Sequence, residues 1–283
     1  MSGDKNKLHT RAVDAPIAID VYKRSQARIR RLKKSLPEDL VANLAREVIM
    51  RVASKDQVLD HVPYEASPEA LEVLCDALLS DDDKSASGII SDLRADGVRA
   101  EDIYLKQLAA AARVLGDKWV NDELSFSQVT VATGRMYAIM RSLRHLFEPM
   151  LPLHGKAAVF AAVPGEDHTL GVHMAADFFR KDGWDIALKV GMDHDELVAE
   201  IEKSPVGILG LSVSGKHSIE ALSRLVVALN ICSPSLIILV GGPNISEVRP
   251  ILDLLGLDAI APTIEDAKIQ MAALYEAQAT TLD

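Results

Sequence analysis

The stretch Val163-Pro164-Gly165-Glu166-Asp167-His168-Thr169-Leu170-Gly171 joins two segments of different periodicity. Residues 156–162 before it are apolar after the first position, and a short apolar run of this kind is typical of a buried strand. Residues 173–179 after it have the spacing of a helix. His168 is therefore expected on a loop between a strand and a helix. Because such loops line the ligand crevice of an open α/β sheet, His168 is a candidate ligand or catalyst.

The same alternation of strand and helix recurs through residues 155–283. We expect strands at residues 156–163, 184–190, 206–213, 236–241 and 258–261, and helices at residues 169–182, 194–203, 218–231, 245–255 and 264–277. Five such units predict an α/β fold, a Rossmann-like parallel sheet of five strands. A flavodoxin-like strand order would place the first and third strands side by side at the point where the order reverses.

Residues 67–150 have helical periodicity and predict a four-helix-bundle cap before the sheet. We expect its helices at residues 68–79, 83–96, 100–120 and 125–147, with Ser125 as an N-cap. Residues that are apolar, apart from Thr133, recur in the last two helices at alternating steps of three and four, which predicts that they form the bundle core. They are Leu105, Leu108, Ala112, Leu115 and Trp119, then Phe126, Val129, Thr133, Met136, Met140, Leu143 and Phe147.

Charge is distributed unevenly along the 283 residues, whose net charge is −10. Residues 1–35 contain ten Lys or Arg and three Asp, a balance of +7 that leaves −17 on the rest. In the N-terminal extension, residues 1–66, the segment 17–34 predicts a basic amphipathic helix. It is either a solvated helix face or a surface for DNA or for a partner's groove. The acidic remainder argues against a broad nucleic-acid surface on the main body.

Composition and motifs exclude several classes of protein. Apolar runs are far shorter than the roughly 20 residues of a membrane helix, and residues 1–10 are polar, so a cytoplasmic protein without a membrane contact is expected. Cys75 and Cys232 are the only cysteines, which indicates neither a disulfide framework nor a zinc site. No Gly-x-Gly-x-x-Gly follows a strand, and Ser212 and Ser214 have no assignable triad partners.

Small or ligating residues follow three of the expected strands. They are Glu166-x-His168-x-x-Gly171 after the first strand, Ser212-x-Ser214-Gly215 after the third, and Gly241-Gly242-Pro243 after the fourth. An imidazole on a loop can ligate a metal through one ring nitrogen while a carboxylate fixes its other N–H group. Glycines allow the backbone to approach a bulky group closely. The three loops together predict a ligand site at one edge of the sheet.

These loops resemble the motif of the cobalamin-binding domain of the methionine synthase type, Asp-x-His-x-x-Gly followed by Ser-x-Leu and Gly-Gly. In that family the histidine replaces the cofactor's own dimethylbenzimidazole under cobalt. The resemblance implies that His168 is the lower axial ligand of cobalt and that Glu166 supports it, although the commoner motif has Asp there and often Leu at the position of Ser214. The implied binding residues of the loops are Glu166, Asp167, His168, Thr169, Gly171, Ser212, Val213, Ser214, Gly241, Gly242 and Pro243.

The segment Leu115-Gly-Asp-Lys-Trp119, followed by Phe126, resembles the helical cap over the corrin in methionine synthase and in the CarH family of photoreceptors. The resemblance makes Leu115, Trp119, Phe126 and Val129 candidates for an apolar lid. CarH proteins have Glu-His ten and eleven residues after the tryptophan, where this chain has Val129 and Thr130. This departure from the CarH signature favours a hydroxo, aquo or methyl cobalamin over an adenosyl form.

Residues 68–275 as a whole resemble the AerR/PpaA group of proteobacterial regulators, in which the cap and the cobalamin domain occur without a DNA-binding helix-turn-helix. The resemblance implies a transcriptional coregulator or antirepressor of photosystem genes rather than an enzyme. It would sense light or redox state and act on a CrtJ/PpsR-type repressor. Two alternatives stay open: a corrinoid methyl-carrier subunit of a methyltransferase, and a haem sensor in which His168 ligates iron.

Overall fold

A helical cap precedes a parallel β-sheet in the computed structural model, which describes residues 64–148 and 156–282. The predicted basic helix at residues 17–34 and the rest of the N-terminal extension up to residue 63 lie outside the described residues, as do residues 149–155. Within the described residues, no helix is both long enough and apolar enough to cross a membrane.

The cap contains the four predicted helical segments. Its elements are α1 (Pro68–Leu79), α2 (Ser85–Ala95), α3 (Ala100–Asp102), a π-helical segment (Ile103–Leu108), α4 (Ala109–Val120), α5 (Phe126–Leu143) and a 3-10 turn (Arg144–Phe147). Ser67 begins α1 by accepting a hydrogen bond from the backbone N–H of Ala70. Ser125 and Gln128 form a reciprocal capping box at the start of α5, so the predicted N-cap is confirmed.

The predicted continuous helix at residues 100–120 is interrupted by the π-helical segment, which the sequence pattern did not reveal. The wider turn changes which side chains face inward. Ile103, Tyr104 and Leu108 are fully buried. Leu105 and Ala112, which the spacing predicts in the bundle core, are only half-buried. A regular spacing of three and four residues cannot reveal this change in the inward-facing residues, because it assumes an α-helix throughout.

The residues of the last two cap helices that the spacing predicts in the bundle core are buried only in part. Leu108, Leu115, Met136, Met140, Leu143 and Phe147 belong to the cap core. Thr133 and Val129 are half-buried, while Trp119 is 41% exposed and Phe126 is 73% exposed. The prediction that Trp119 and Phe126 are core residues was therefore wrong. Both lie at the adjoining ends of α4 and α5, beyond the last buried layer of the bundle.

The sheet is five-stranded and parallel, with the order β2-β1-β3-β4-β5. The strands are β1 (Ala157–Ala162), β2 (Asp185–Lys189), β3 (Ile208–Ser212), β4 (Ile237–Gly241) and β5 (Ala259–Ala261). The helices are α6 (Leu170–Lys181), α7 (His194–Lys203), α8 (Ile219–Cys232), α9 (Ile245–Leu252) and α10 (Ile264–Leu282), with a 3-10 turn (Lys216–Ser218) before α8. The predicted α/β fold and the neighbouring positions of the first and third strands are confirmed.

Apolar side chains assign the helices to the two faces of the sheet. On one face, α7, α8 and α9 share a buried cluster with the inward residues of β1, β3 and β4. On the other, α6 and α10 pack against the sheet. Met174 and Phe178 of α6 also join the cap core, so α6 lies between the cap and the sheet. The loop that carries His168 leads directly into this shared helix.

A buried polar contact fixes α6 to the cap. The Tyr104 hydroxyl lies 3.0 Å from Oδ2 of Asp177, whose side chain is 2% exposed. Arg180 donates to Oδ1 of the same carboxylate at 2.9 Å, and Arg144 lies 3.5 Å from it. Burial and the charge of Asp177 raise the pKa of Tyr104, so its hydroxyl remains a donor at neutral pH.

We expect Tyr104→Phe to destabilise the protein by about 1.5–3 kcal/mol, because a hydrogen bond to a buried charge is lost. Urea unfolding monitored by circular dichroism measures the change. Tyr275→Phe is the matched control, since it removes a hydroxyl from a half-buried ring that packs on Trp184. Equal losses in both variants would contradict a special contribution of the contact with Asp177.

Candidate functional site

A tight turn after β1 directs Glu166 into the protein. Pro164 and Gly165 occupy the central positions of a turn closed by a 2.9 Å hydrogen bond from the Glu166 N–H to the Val163 carbonyl. Gly165 has φ +79°, a conformation that L side chains rarely adopt, and glycine is the preferred residue at this position of a type II turn. As a result the Glu166 side chain is only 1% exposed.

Five donors surround the Glu166 carboxylate. Oε1 accepts from the backbone N–H of His168 at 2.9 Å and lies 2.8 Å from Nδ1 of the same residue. Oε2 accepts from the backbone N–H of Ser214 at 3.0 Å, from the Ser214 hydroxyl at 2.5 Å and from the Ser218 hydroxyl at 2.6 Å. Each oxygen thus accepts a hydrogen bond from one backbone N–H group, and a backbone N–H group can only donate.

These donors determine the charge of Glu166. Burial by itself raises the pKa of the carboxyl group, but the hydrogen bonds from Ser214, Ser218 and His168 outweigh it and lower the pKa to about 2. Glu166 is therefore ionised at neutral pH and can only accept hydrogen bonds. Nδ1 of His168 consequently carries a proton and donates it to Oε1.

The remaining ring nitrogen of His168 is available to a ligand. With Nδ1 protonated, the neutral imidazole has its lone pair on Nε2. The side chain is 64% exposed, so the ring is accessible while its orientation is fixed at Nδ1. A buried carboxylate that holds one nitrogen of a metal-binding histidine is a common device for orienting the ring and raising its basicity.

The three predicted loops meet at the carboxyl edge of the sheet, and we call residues 163–169, 213–218 and 241–244 the crevice loops. Their backbones are linked by hydrogen bonds from Val163 N–H to the Ser212 carbonyl at 3.3 Å and from Val213 N–H to the Gly241 carbonyl at 3.0 Å. The Asn244 side chain donates to the Ser214 carbonyl at 3.1 Å. Contact between the first two loops runs through Glu166, which bonds to Ser214.

His217, on the loop between β3 and α8, lies beside this centre. Its Nε2 is 3.1 Å from the Ser214 hydroxyl and 3.5 Å from Oε2 of Glu166. One ligand atom each from Glu166, His168 and His217 lies within 4.8 Å of the others, close enough to suggest a metal ion. The carboxylate oxygens are already occupied by five donors, however. Glu166 is therefore better suited to orienting His168 than to binding a metal itself.

The other predicted site residues are placed unequally. Ser212 is half-buried at the end of β3 and Val213 is buried at the start of the second crevice loop, while Asp167, Gly171 and Pro243 are exposed. In the cap, Leu115 is buried in the core, so its side chain is not presented at a surface. Trp119 and Phe126 present apolar surface, and within the described residues no hydrogen bond or ring contact joins them to the crevice loops.

Two residues of the site were not predicted from the sequence. Ser218 was expected only as the first residue of a helix, yet its buried hydroxyl bonds to Glu166. Tyr137 of α5 reaches Thr169, the residue after His168, with 2.6 Å between the two hydroxyl oxygens. A serine at a helix start is a weak signal, since N-capping explains it equally well. Nothing in the sequence indicated the contact of Tyr137, because it lies 32 positions from Thr169.

Gly242 occupies a position with no room for a side chain. A Cβ atom there would lie 1.9 Å from the Val213 carbonyl oxygen. We therefore expect Gly242→Ala to displace one crevice loop from another and to lower stability by about 1–3 kcal/mol, as overpacking does elsewhere. Thermal unfolding measures the loss. Gly171→Ala is the control: a Cβ atom there meets nothing within 4 Å, so stability should not fall, and a fall equal to that of Gly242→Ala would contradict the steric explanation.

Comparison with protein families identifies both parts of the structure. A model described as "B12 binding domain" matches residues 156–271, which contain the sheet and the crevice loops. A second model with the same description matches residues 70–144, which contain the helical cap. The two matches together cover about two thirds of the chain and agree with the division into cap and sheet.

Individual relatives match a similar share of the chain. The chain is 23% identical over 175 residues to a Rhodobacter capsulatus protein named "Uncharacterized 20.5 kDa protein in bchF-crtJ intergenic region", a match that covers 61% of this chain and 91% of that protein. The solved structure of the Methanosarcina barkeri monomethylamine corrinoid protein superposes with a TM-score of 0.60 at 23% identity, covering 71% of this chain and 96% of that one. This similarity shows that the two proteins share a fold.

Proposed function

Because this chain belongs to the B12-binding domain family, we propose that it binds cobalamin through His168 and acts as a cobalamin-dependent regulator of photosystem genes. The observation that carries the first half of the proposal is the pairing of His168 with an ionised, buried Glu166. The pairing leaves Nε2 as a nitrogen donor of fixed orientation. When bound, cobalamin would supply a cobalt centre whose upper ligand and oxidation state respond to light and redox conditions.

The surrounding residues fit such a group. Gly241 and Gly242 form a stretch of backbone without side chains, and a Cβ atom at Gly242 would meet the next loop. Gly171, in the first turn of α6, faces open space, which leaves room for a large planar group beside the His168 loop. Trp119 and Phe126 of the cap expose the apolar surface that a lid over such a group requires.

The regulatory half of the proposal has separate support. The Rhodobacter capsulatus relative is named for its position between bchF and crtJ, and the match covers 91% of it. The described residues form the cap and the sheet, and we propose that a signal passes through a surface of one of them or through residues 17–34. We propose a CrtJ/PpsR-type repressor as the partner, with the basic segment 17–34 in contact with DNA or with that partner.

Absorption spectra test the cofactor. Purified protein is incubated with hydroxo-, methyl- or adenosylcobalamin, or with haem, in darkness and in light. The proposal expects retention of a corrinoid with the spectrum of a histidine-ligated cobalt, the hydroxo, aquo or methyl form being preferred. Retention of haem with a Soret band, and no corrinoid, would overturn it in favour of a haem sensor.

A mobility-shift assay tests the regulatory role. We expect the cobalamin-loaded protein to change the binding of a purified CrtJ/PpsR-type repressor to its promoter DNA, with a different effect in light and in darkness. No effect on the repressor, together with transfer of a methyl group from the loaded protein to a thiol by a partner methyltransferase, would instead establish a corrinoid methyl carrier.

A further inference from the structure

A hydroxyl of the cap reaches the residue beside His168. Tyr137, in the second half of α5, places its hydroxyl oxygen 2.6 Å from Oγ1 of Thr169. Thr169 follows His168 in the chain and immediately precedes the first residue of α6. Its side chain makes no capping hydrogen bond to that helix, so the hydroxyl is committed to the contact with Tyr137.

Thr169 is also held from a second side by His173. Nδ1 of His173 lies 2.8 Å from the Thr169 carbonyl, and because a carbonyl only accepts, Nδ1 carries the proton and donates it. The ring of His173 packs edge-on against Tyr137, with 5.1 Å between the ring centroids and 68° between the planes. Tyr137 therefore touches both the residue after His168 and the side chain that fixes its backbone.

Two other polar links join α6 to the cap, the contact of Tyr104 with Asp177 and the ion pair of Lys181 with Glu101, and both involve charged groups. Tyr104 and Asp177, two turns further along α6, form a buried contact to a charged group that two arginines also approach. The contact of Tyr137 with Thr169 is part-buried and joins two neutral hydroxyls. Hydrogen bonds between neutral groups are roughly half as strong as those to charged groups. The contact of Tyr137 with Thr169 is therefore the weakest of the three links and the one that a shift of α5 breaks most easily.

We propose that Tyr137 is a positioning residue that couples the cap to the His168 loop through Thr169. This inference rests on the proposed function, because it assigns the cap a means of sensing what occupies His168. Engagement of His168 by a ligand constrains the peptide that leads to Thr169, and that constraint is passed to α5. Linkage makes the coupling reciprocal, so a partner that displaces α5 also changes the affinity at His168.

A double-mutant cycle tests the coupling. The variants are Tyr137→Phe, Thr169→Val and the double mutant, with Thr169→Ser as a conservative rescue and Tyr275→Phe as a matched control. Hydrogen exchange of the segment 166–170 is measured without cofactor, and cobalamin dissociation constants are measured by titration. We expect each single variant to accelerate exchange and to weaken cobalamin binding about two- to tenfold, the range of one neutral hydrogen bond.

The double mutant should be no worse than either single variant, because both substitutions remove the same contact. Thr169→Ser should behave as wild type, since it keeps the hydroxyl. Additive losses, or losses in Tyr275→Phe as large as those in Tyr137→Phe, would overturn the coupling. Since exchange is measured on cofactor-free protein, a failure to bind cobalamin would refute the proposed function while the exchange cycle still decides the role of Tyr137.

Discussion

Substitution of His168 by alanine is expected to weaken cobalamin binding at least about a hundredfold, more than the 10–100-fold that loss of a supporting residue typically costs. The reason is that Nε2 of His168 is the nitrogen donor that Glu166 orients toward a ligand. A spectrophotometric titration of the purified variant measures the affinity, and the spectrum of any residual complex should lack a histidine ligand.

Two controls make this result specific. Loss of the Nδ1 donor to the buried Glu166 carboxylate should destabilise the cofactor-free variant by about 1.5–3 kcal/mol, so circular dichroism first checks that it is folded under the conditions of the titration. His217→Ala removes the neighbouring imidazole, whose Nε2 lies 3.1 Å from the Ser214 hydroxyl, and should retain the histidine-ligated spectrum. Loss of that spectrum in His217→Ala but not in His168→Ala would reassign the ligand to His217.

Substitution of Glu166 by glutamine is expected to be severe although the two side chains have nearly the same shape. Either orientation of the amide places its NH2 group against a backbone N–H, that of His168 on one side or that of Ser214 on the other. An unsatisfied buried donor costs about 1–3 kcal/mol, so we expect at least that loss of stability. Cobalamin affinity should fall about 10–100-fold because His168 loses its orienting partner.

Urea unfolding at neutral pH and in acid checks this explanation. The folded pKa of Glu166, about 2, lies below its ordinary value of 4.5, so its stabilising contribution is complete above pH 4.5 and is lost as the pH falls toward 2. The contribution is about 3 kcal/mol by linkage. The difference in the free energy of unfolding between wild type and Glu166→Gln should therefore decrease as the pH falls from 4.5 toward 2. Glu200→Gln removes an exposed carboxylate paired with Lys189 and should have little effect on the free energy of unfolding. A loss there equal to that of Glu166→Gln would contradict the explanation.

The sheet and the core of the site could be predicted because local sequence determines both. Short apolar runs and the turn residues between them define the strands, and their alternation with helices defines a parallel sheet. Glu166 and His168 are two residues apart on one loop, so their contact depends on a single turn. Ser214 joins them because β1 and β3 are neighbours, which the topology already implied.

Other features depend on contacts that are distant in sequence. The π-helical segment changes which residues of the third cap helix face inward, and no apolar spacing reports it. Trp119 and Phe126 have the spacing of core residues, but spacing does not show where a bundle core ends. Tyr137 is separated from Thr169 by 32 positions and meets it only because α6 is shared between the cap and the sheet.

Electron paramagnetic resonance distinguishes directly whether His168 or the cofactor's own base binds the cobalt of cobalamin. Protein containing nitrogen-15 histidine is loaded with cobalamin and reduced to the cobalt(II) state. The two nitrogen isotopes have different nuclear spins, so a histidine ligand should change the axial splitting from a triplet to a doublet, and His168→Ala should abolish that change. A triplet that persists in the labelled protein would show that cobalamin keeps its own base, and the assignment of His168 would fail.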